Sequence, residues 1–154
     1  MTRPSKPRYD SAPRIRAKAI CAFRRDDRIL VAHGVDTVKT ERYARPLGGT
    51  IEFGERAVDA LRREIREELG ADLCGPRLLG VLENLFTLEG RPGHEIVFVF
   101  DAEFADSRLY ARPALPLLEG GWDGPAVWVS ISALRGGGTP LYPAGLLPLL
   151  DTSD

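Results

Sequence analysis

The run GTIEFGERAVDALRREIREELGA, residues 49–71, decides the reading of this chain. Gly49 and Gly54 bracket a short extended segment, and a helical pattern starts near Glu55. Val58, Leu61, Ile65 and Leu69 recur at spacings of 3, 4 and 4, one apolar stripe along a helix of about 55–69, and Gly70 stands where a left-handed cap would end it. At ~100° per residue, Glu64, Glu67 and Glu68 fall in a single arc of ~100° beside that stripe. Like charges at these spacings cost roughly 0.2 to 0.5 kcal/mol per pair, and the three lie in the C-terminal half, where the macrodipole disfavours anions. Local stability would not select this arrangement. A hard divalent cation would remove the repulsion, and carboxylate oxygens are the ligands that Mg2+ prefers. Arg62, Arg63 and Arg66 are close by, and an Arg/Glu-rich helix taken alone reads more simply as a solvated face.

Working outward, Ile15 to Arg24 and Arg28 to His33 have strand patterns joined by a polar turn, which predicts a hairpin. Residues 34–45 read as a polar loop. Downstream, Leu78 to Leu88 and His94 to Phe104 predict a second hairpin around Glu89-Gly90-Arg91-Pro92-Gly93. Ile96 to Phe100 is apolar at every position, as in a strand covered on both faces. A Pro/Gly-rich loop runs from Asp106 to Pro125, a strand from Ala126 to Ser130, and a short helix from Ala144 to Leu150. Strands outnumber helices and hairpins mix with crossovers, which predicts an α/β sandwich with a mixed sheet.

With 154 residues, 44% of them apolar, and a net charge of -1, the chain has the makeup of one globular domain with no general attraction for polyanions or acidic lipid. No apolar run approaches the ~18 residues of a membrane span. Residues 1–18 hold six Lys/Arg and one Asp, a net of +5, which leaves -6 for the acidic remainder. Pro4, Pro7 and Pro13 keep the start from regular structure, so residues 1–14 are expected to be a flexible basic arm and 15–154 a single domain. That arm lacks the apolar core of a secretory signal, which favours a cytoplasmic location. Cys21 and Cys74 are too far apart for a metal-ligand motif and are expected to be small buried apolar groups.

Gly49, Glu55, Arg63, Glu64, Ile65, Glu67, Glu68, Gly70 and Ala71 match the pattern G-x5-E-x7-R-E-U-x-E-E-x-G-U, with U apolar, without a gap. The chain therefore resembles the Nudix hydrolase family, whose signature this is. Ala71 stands where a larger aliphatic residue is usual, and Leu47 where many members have proline. The resemblance implies a Nudix-type α/β/α sandwich with a mixed sheet. Glu83-Asn84-Leu85-Phe86 followed by His94-Glu95-Ile96 also looks like a bacterial subgroup of the family.

Residue by residue, the resemblance implies that Glu67 and Glu68 bind Mg2+, or Mn2+ in its place, with Glu64 as a third ligand or as the base that deprotonates water. Gly48 would add a backbone carbonyl. Arg63 and Glu55 would form an ion pair that braces the loop against the helix. The implied reaction is Mg2+-dependent hydrolysis of a diphosphate linkage in a nucleoside diphosphate derivative, such as a nucleoside triphosphate, nucleotide sugar, ADP-ribose or dinucleoside polyphosphate. A homodimer is also a fair expectation from the family. The rival class is a Nudix-fold module that senses a nucleotide without cleaving it, against which the intact carboxylate set argues. A basic arm serving an enzyme of capped RNA is a third reading, and the acidic body argues against nucleic acid as a partner.

Other positions keep two readings open. Arg45, and similarly Glu52, could reach a substrate phosphate or its surroundings or make a surface salt bridge. Glu83 and Glu95 could complete the metal cluster or face water at a strand end, and Glu95 is also a candidate substrate contact. His94 is expected to be a hairpin residue with a satisfied hydrogen bond, and Trp122 and Tyr142 either stack on a base or pin loops to the core. Specificity is expected to reside in segments 34–45, 88–94 and 106–124.

Overall fold

The structure, a computed structural model, describes residues 13–151. Most of the segment expected to be a basic arm therefore lies outside the described residues. The strands are β1 (Ile15–Ala22), β2 (Arg24–Arg25), β3 (Arg28–Asp36), β4 (Glu41–Arg45), β5 (Leu47–Thr50), β6 (Leu73–Leu88), β7 (Arg91–Phe104), β8 (Ala114–Leu115) and β9 (Ala126–Ser130). The helices are α1 (Ala57–Leu69), α2 (Ile131–Arg135) and α3 (Leu146–Asp151), with a 3-10 turn at Ser107–Ala111. The first sheet is mixed, in the order β5-β1-β7-β6, with β1 parallel to β7 and the other pairs antiparallel. A second sheet runs β2-β3-β9-β8, and β4 pairs with β3.

One expected hairpin is corrected. β1 and β3 do not pair; β1 lies between β5 and β7, and only Arg24 and Arg25 turn back on β3 through Asp26, whose φ is 55°. Two strand patterns joined by a polar turn do not say which strands pair, and β1 is instead covered on both faces. Ala19 and Cys21 join the core under α1, whereas Ile20 and Ala22 join the core under α2 and α3. That arrangement is the α/β/α sandwich. Segment 34–45 is also no simple loop, since it contains the end of β3 and all of β4. The 106–125 segment contains the 3-10 turn and β8.

The second hairpin is longer than its sequence suggests. β6 and β7 pair from Leu73↔Phe104 to Leu88↔Arg91 and turn through Glu89 and Gly90, both with positive φ. Within β7, Val97, Val99 and Phe100 are buried, while Ile96 and Phe98 are half-buried. Cys21 is buried and Cys74 is exposed, and both are free thiols, so the expectation of burial fails for Cys74. No helix among the described residues is long and apolar enough to cross a membrane.

Candidate metal centre and adjoining cavity

Helix α1 carries the anionic side chains, and its ends set their position. It starts one turn after Gly54, and Gly70 at φ 65° closes it, donating its N–H to the Arg66 carbonyl at 2.9 Å. Leu61 and Ile65 are buried in the core, and this fixes the rotation of the helix. Rotated this way, Glu68 (4% exposed) and Glu64 (9% exposed) turn inward toward β5. Gly49 is required by that approach, because a Cβ there would fall on the Glu64 carboxyl group.

Glu64, Glu68 and Glu119 each bring a carboxylate oxygen within 4.8 Å of the others. Glu119 comes from the loop after β8, held to the end of α1 by a 2.8 Å hydrogen bond from the Leu118 N–H to the Glu68 carbonyl. Sequence reasoning missed it. A lone Glu in a Pro/Gly-rich loop has no periodicity to flag it, and neither Glu95 nor Glu83 takes that place. Burial and the neighbouring Glu64 push the Glu68 carboxyl up to about 8, against the pull of Arg45 and a backbone hydrogen bond from Gly48. Its Oε2 is buried without a hydrogen-bond partner among the described residues. Burial likewise raises Glu64, whereas its contact with Arg63 lowers it.

Arg63 organises the rim. Its Nε and Nη2 donate to the two oxygens of Glu55, each at 2.8 Å, Nη2 also donates to the Thr50 carbonyl at 2.9 Å, and Nη1 reaches Glu64 Oε1 at 2.9 Å. The Gly-rich turn is thereby tied to the helix. Glu67 lies outside the group of three, 30% exposed in its side chain, with Oε2 3.4 Å from Arg63 Nη1. Glu52 is exposed in the turn, where its carbonyl accepts from the Glu55 N–H at 3.0 Å.

A cavity open to solvent adjoins the cluster. Arg45 lines it and also exerts its charge on Glu68, so it stands at the junction, with Trp122 5.8 Å from its guanidinium carbon. Tyr43, Phe86 and Tyr142 form aromatic walls, and Asn84 and Glu95 line the side given by β6 and β7. Lys18 Nζ is 3.8 Å from Glu95 and 2.9 Å from Thr50 Oγ1, its own titration lowered by burial and by Arg45. Glu83 is exposed. His94 departs from expectation, since its Nε2 is buried with no partner among the described residues.

Helix, glycine turn and cluster together suit binding of a divalent cation beside the cavity. The fold is shared with a NUDIX hydrolase from Nitrosomonas europaea at 20% identity and a TM-score of 0.66, covering 90% of this chain and 87% of that one. A MutT NUDIX hydrolase from Burkholderia pseudomallei is similar at 24% identity, with a TM-score of 0.67 and coverage of 91% and 99%. An ADP compounds hydrolase is similar at 18% identity, with a TM-score of 0.61 and coverage of 90% and 72%. The family model described as NUDIX domain matches residues 13–140, and the chain therefore belongs to the Nudix family.

Proposed function

We propose that this protein hydrolyses the diphosphate linkage of a nucleoside diphosphate derivative, a nucleoside triphosphate, nucleotide sugar, ADP-ribose or dinucleoside polyphosphate, with Mg2+, or Mn2+ in its place, as cofactor. Family membership carries the general class, hydrolysis of a phosphoric anhydride. The observation that carries the rest is the Glu68 Oε2 atom, buried without a partner beside two further carboxylates. A donor set of hard anionic oxygens in this state fits a hard dication.

Glu64, Glu68 and Glu119 would hold the cation, and Glu67, on the adjacent edge of α1, belongs to the same proposed set, as does the backbone of Gly48. A divalent ion there would supply Lewis acidity and neutralise phosphate charge. The protein's own groups do the rest. Arg45 draws a phosphate to the mouth of the cavity, and Glu95 and Glu52 remain proposed substrate contacts. The Arg63–Glu55 pair keeps the turn, and through it Gly48, in place. Glu64 has Oε1 engaged by Arg63, and burial makes its carboxylate a stronger proton acceptor for the attacking water. We place the enzyme in the cytoplasm, acting on small nucleotides as a homodimer.

The test is a panel of nucleoside di- and triphosphates, nucleotide sugars and dinucleoside polyphosphates at saturating Mg2+, with phosphate and nucleotide products identified. Metal-dependent release of a nucleoside monophosphate or of pyrophosphate is expected for at least one class. Absence of turnover across the panel, with nucleotides still binding, would favour a sensing module instead.

A further inference from the structure

The polar groups lining the cavity beside the metal centre are not equivalent. Asp36 already accepts the N–H groups of Val38, Lys39 and Glu89, and Glu41 accepts the Tyr142 hydroxyl at 2.8 Å. Lys39 Nζ donates to the Thr87 carbonyl. Two groups remain. The Asn84 carboxamide, on a residue 6% exposed, makes no side-chain hydrogen bond among the described residues, and the 9% exposed Glu95 has only Lys18 at 3.8 Å. Neither Asn84 nor Glu95 is held by another side chain in a way that a ligand in the cavity would have to break.

Asn84 and Glu95 face each other across the β6–β7 ladder, so their side chains stand side by side, about 5 Å apart. Together they offer a fixed pattern: a carboxylate with two acceptor oxygens next to an amide with an N–H2 donor. Guanine complements it, since its N1–H and 2-amino group are adjacent donors for one carboxylate and its O6 accepts from the amide. Adenine would turn the bare lone pair of N1 toward the carboxylate. Cytosine does the same with N3, and uracil flanks its single N–H with carbonyls. Each rejection comes from an unpaired or repelled acceptor in a buried site, the kind of difference that discriminates strongly.

Resting on the hydrolase reading above, we propose that Asn84 and Glu95 form the specificity edge of this cavity and select a guanine nucleotide. The base enters between the aromatic walls, and its phosphates pass Arg45 toward the Glu64, Glu68 and Glu119 cluster. The aromatic walls of Tyr43, Phe86 and Tyr142 suit a planar purine.

Calorimetric titration of the full chain with GMP, IMP and AMP, in EDTA, tests the edge without the reaction. GMP is expected to bind at least about tenfold more tightly than AMP, and also more tightly than IMP, which lacks only the 2-amino donor. In Glu95→Gln, with folding checked by its melting temperature, the GMP-to-AMP ratio is expected to fall to within about twofold of unity. Equal binding of the three nucleotides, no binding at millimolar concentration, or a ratio unchanged in Glu95→Gln overturns the proposal. The wild-type comparison needs no variant to fold. Hydrolysis of several triphosphates without guanine preference sinks the base assignment alone, whereas selective GMP binding with no metal-dependent hydrolysis of any anhydride sinks the hydrolase reading alone.

Discussion

Asp36, which lines the cavity, and Glu68, in the carboxylate cluster beside it, are both buried, and the fold treats them in opposite ways. Asp36, 1% exposed, accepts three backbone N–H groups at 3.0 to 3.2 Å, and those hydrogen bonds hold its carboxyl below the usual carboxylate range. Glu68, 4% exposed, has another carboxylate for a neighbour and an oxygen with no partner among the described residues, and is pushed up to about 8. The first carboxylate is complete within the protein and joins two hairpin tips. The second is complete only with something added. Removing charge should therefore harm one place and relieve the other.

The largest effect should come from Glu68→Gln and Glu64→Gln. Each is expected to cut Mg2+-dependent turnover by at least about 10²-fold, because a proposed ligand or proton acceptor is lost. At pH 8 in EDTA, however, the melting temperature of Glu68→Gln should exceed that of the wild type. Glu67→Gln should also lose turnover by orders of magnitude but without that gain, since Glu67 is ion-paired with Arg63. Near wild-type rates at low Mg2+ in Glu68→Gln would break the contrast at its root.

Wild-type stability without metal should also depend on pH in a defined sense. The folded value of Glu68 lies above its unfolded value near 4.5. Its contribution is thus fully present below about pH 4.5 and is lost as pH rises through about 8, by on the order of a few kcal/mol. Mg2+ should oppose that loss, because binding to the ionised cluster stabilises the fold by mass action. Thermal melts across pH 5 to 9, with EDTA and with Mg2+, measure both. A flat metal-free profile that matched Glu68→Gln would mean that the carboxyl is not strained.

The two carboxylates also differ in how far their roles can be read from sequence. Glu68 lies in a continuous stretch where helical geometry alone places three anions on one arc, and the glycine before and the glycine after mark the ends of the unit. Asp36 and the cavity it lines are assembled from β3, β4, the β6–β7 hairpin and Tyr142, and no local period encodes contacts between residues that far apart. Glu119 shows the same limit at the proposed metal site. Its position depends on one backbone hydrogen bond to the end of α1, formed only after the chain has passed through β6 to β8. The supposed β1–β3 hairpin failed for a related reason, since two strand patterns and the turn between them do not say which strand is the neighbour.

Between those extremes stands the Arg63–Glu55 pair, part-buried at 23% and 18% side-chain exposure. Arg63→Ala should lower stability by roughly 1 to 3 kcal/mol, between surface and buried pair values, and lower turnover with it because the turn carrying Gly48 loosens. In a double-mutant cycle with Glu55→Ala the stability losses should be non-additive. Strict additivity would mean that the guanidinium acts through the Thr50 carbonyl and Glu64 instead.

The smallest effect should come from Asp36→Asn, and its sign sharpens the comparison most. The carboxylate spans two places: one oxygen accepts from Val38 and Lys39 at the tip after β3, the other from Glu89 at the tip of the β6–β7 hairpin. A carboxamide keeps one acceptor and replaces the other with an N–H2 group that would face a donor. One tip is therefore released. The Thr37 N–H and hydroxyl still donate to Glu89 at 2.7 and 2.6 Å, so the tips stay in register and the melting temperature should fall by only a few degrees. Amide exchange should quicken around 37–39 and 88–91 and not along α1. The pH dependence should also change on the opposite side from Glu68. The Asp36 contribution is present above its unfolded value near 3.8 and is lost as pH falls through its lower folded value, so Asp36→Asn should flatten the acid limb, whereas Glu68→Gln flattens the alkaline one. If Asp36→Asn instead raised the melting temperature at neutral pH, Asp36 would be a strained carboxylate like Glu68, and a second cation at that end of the cleft would be the first thing to look for.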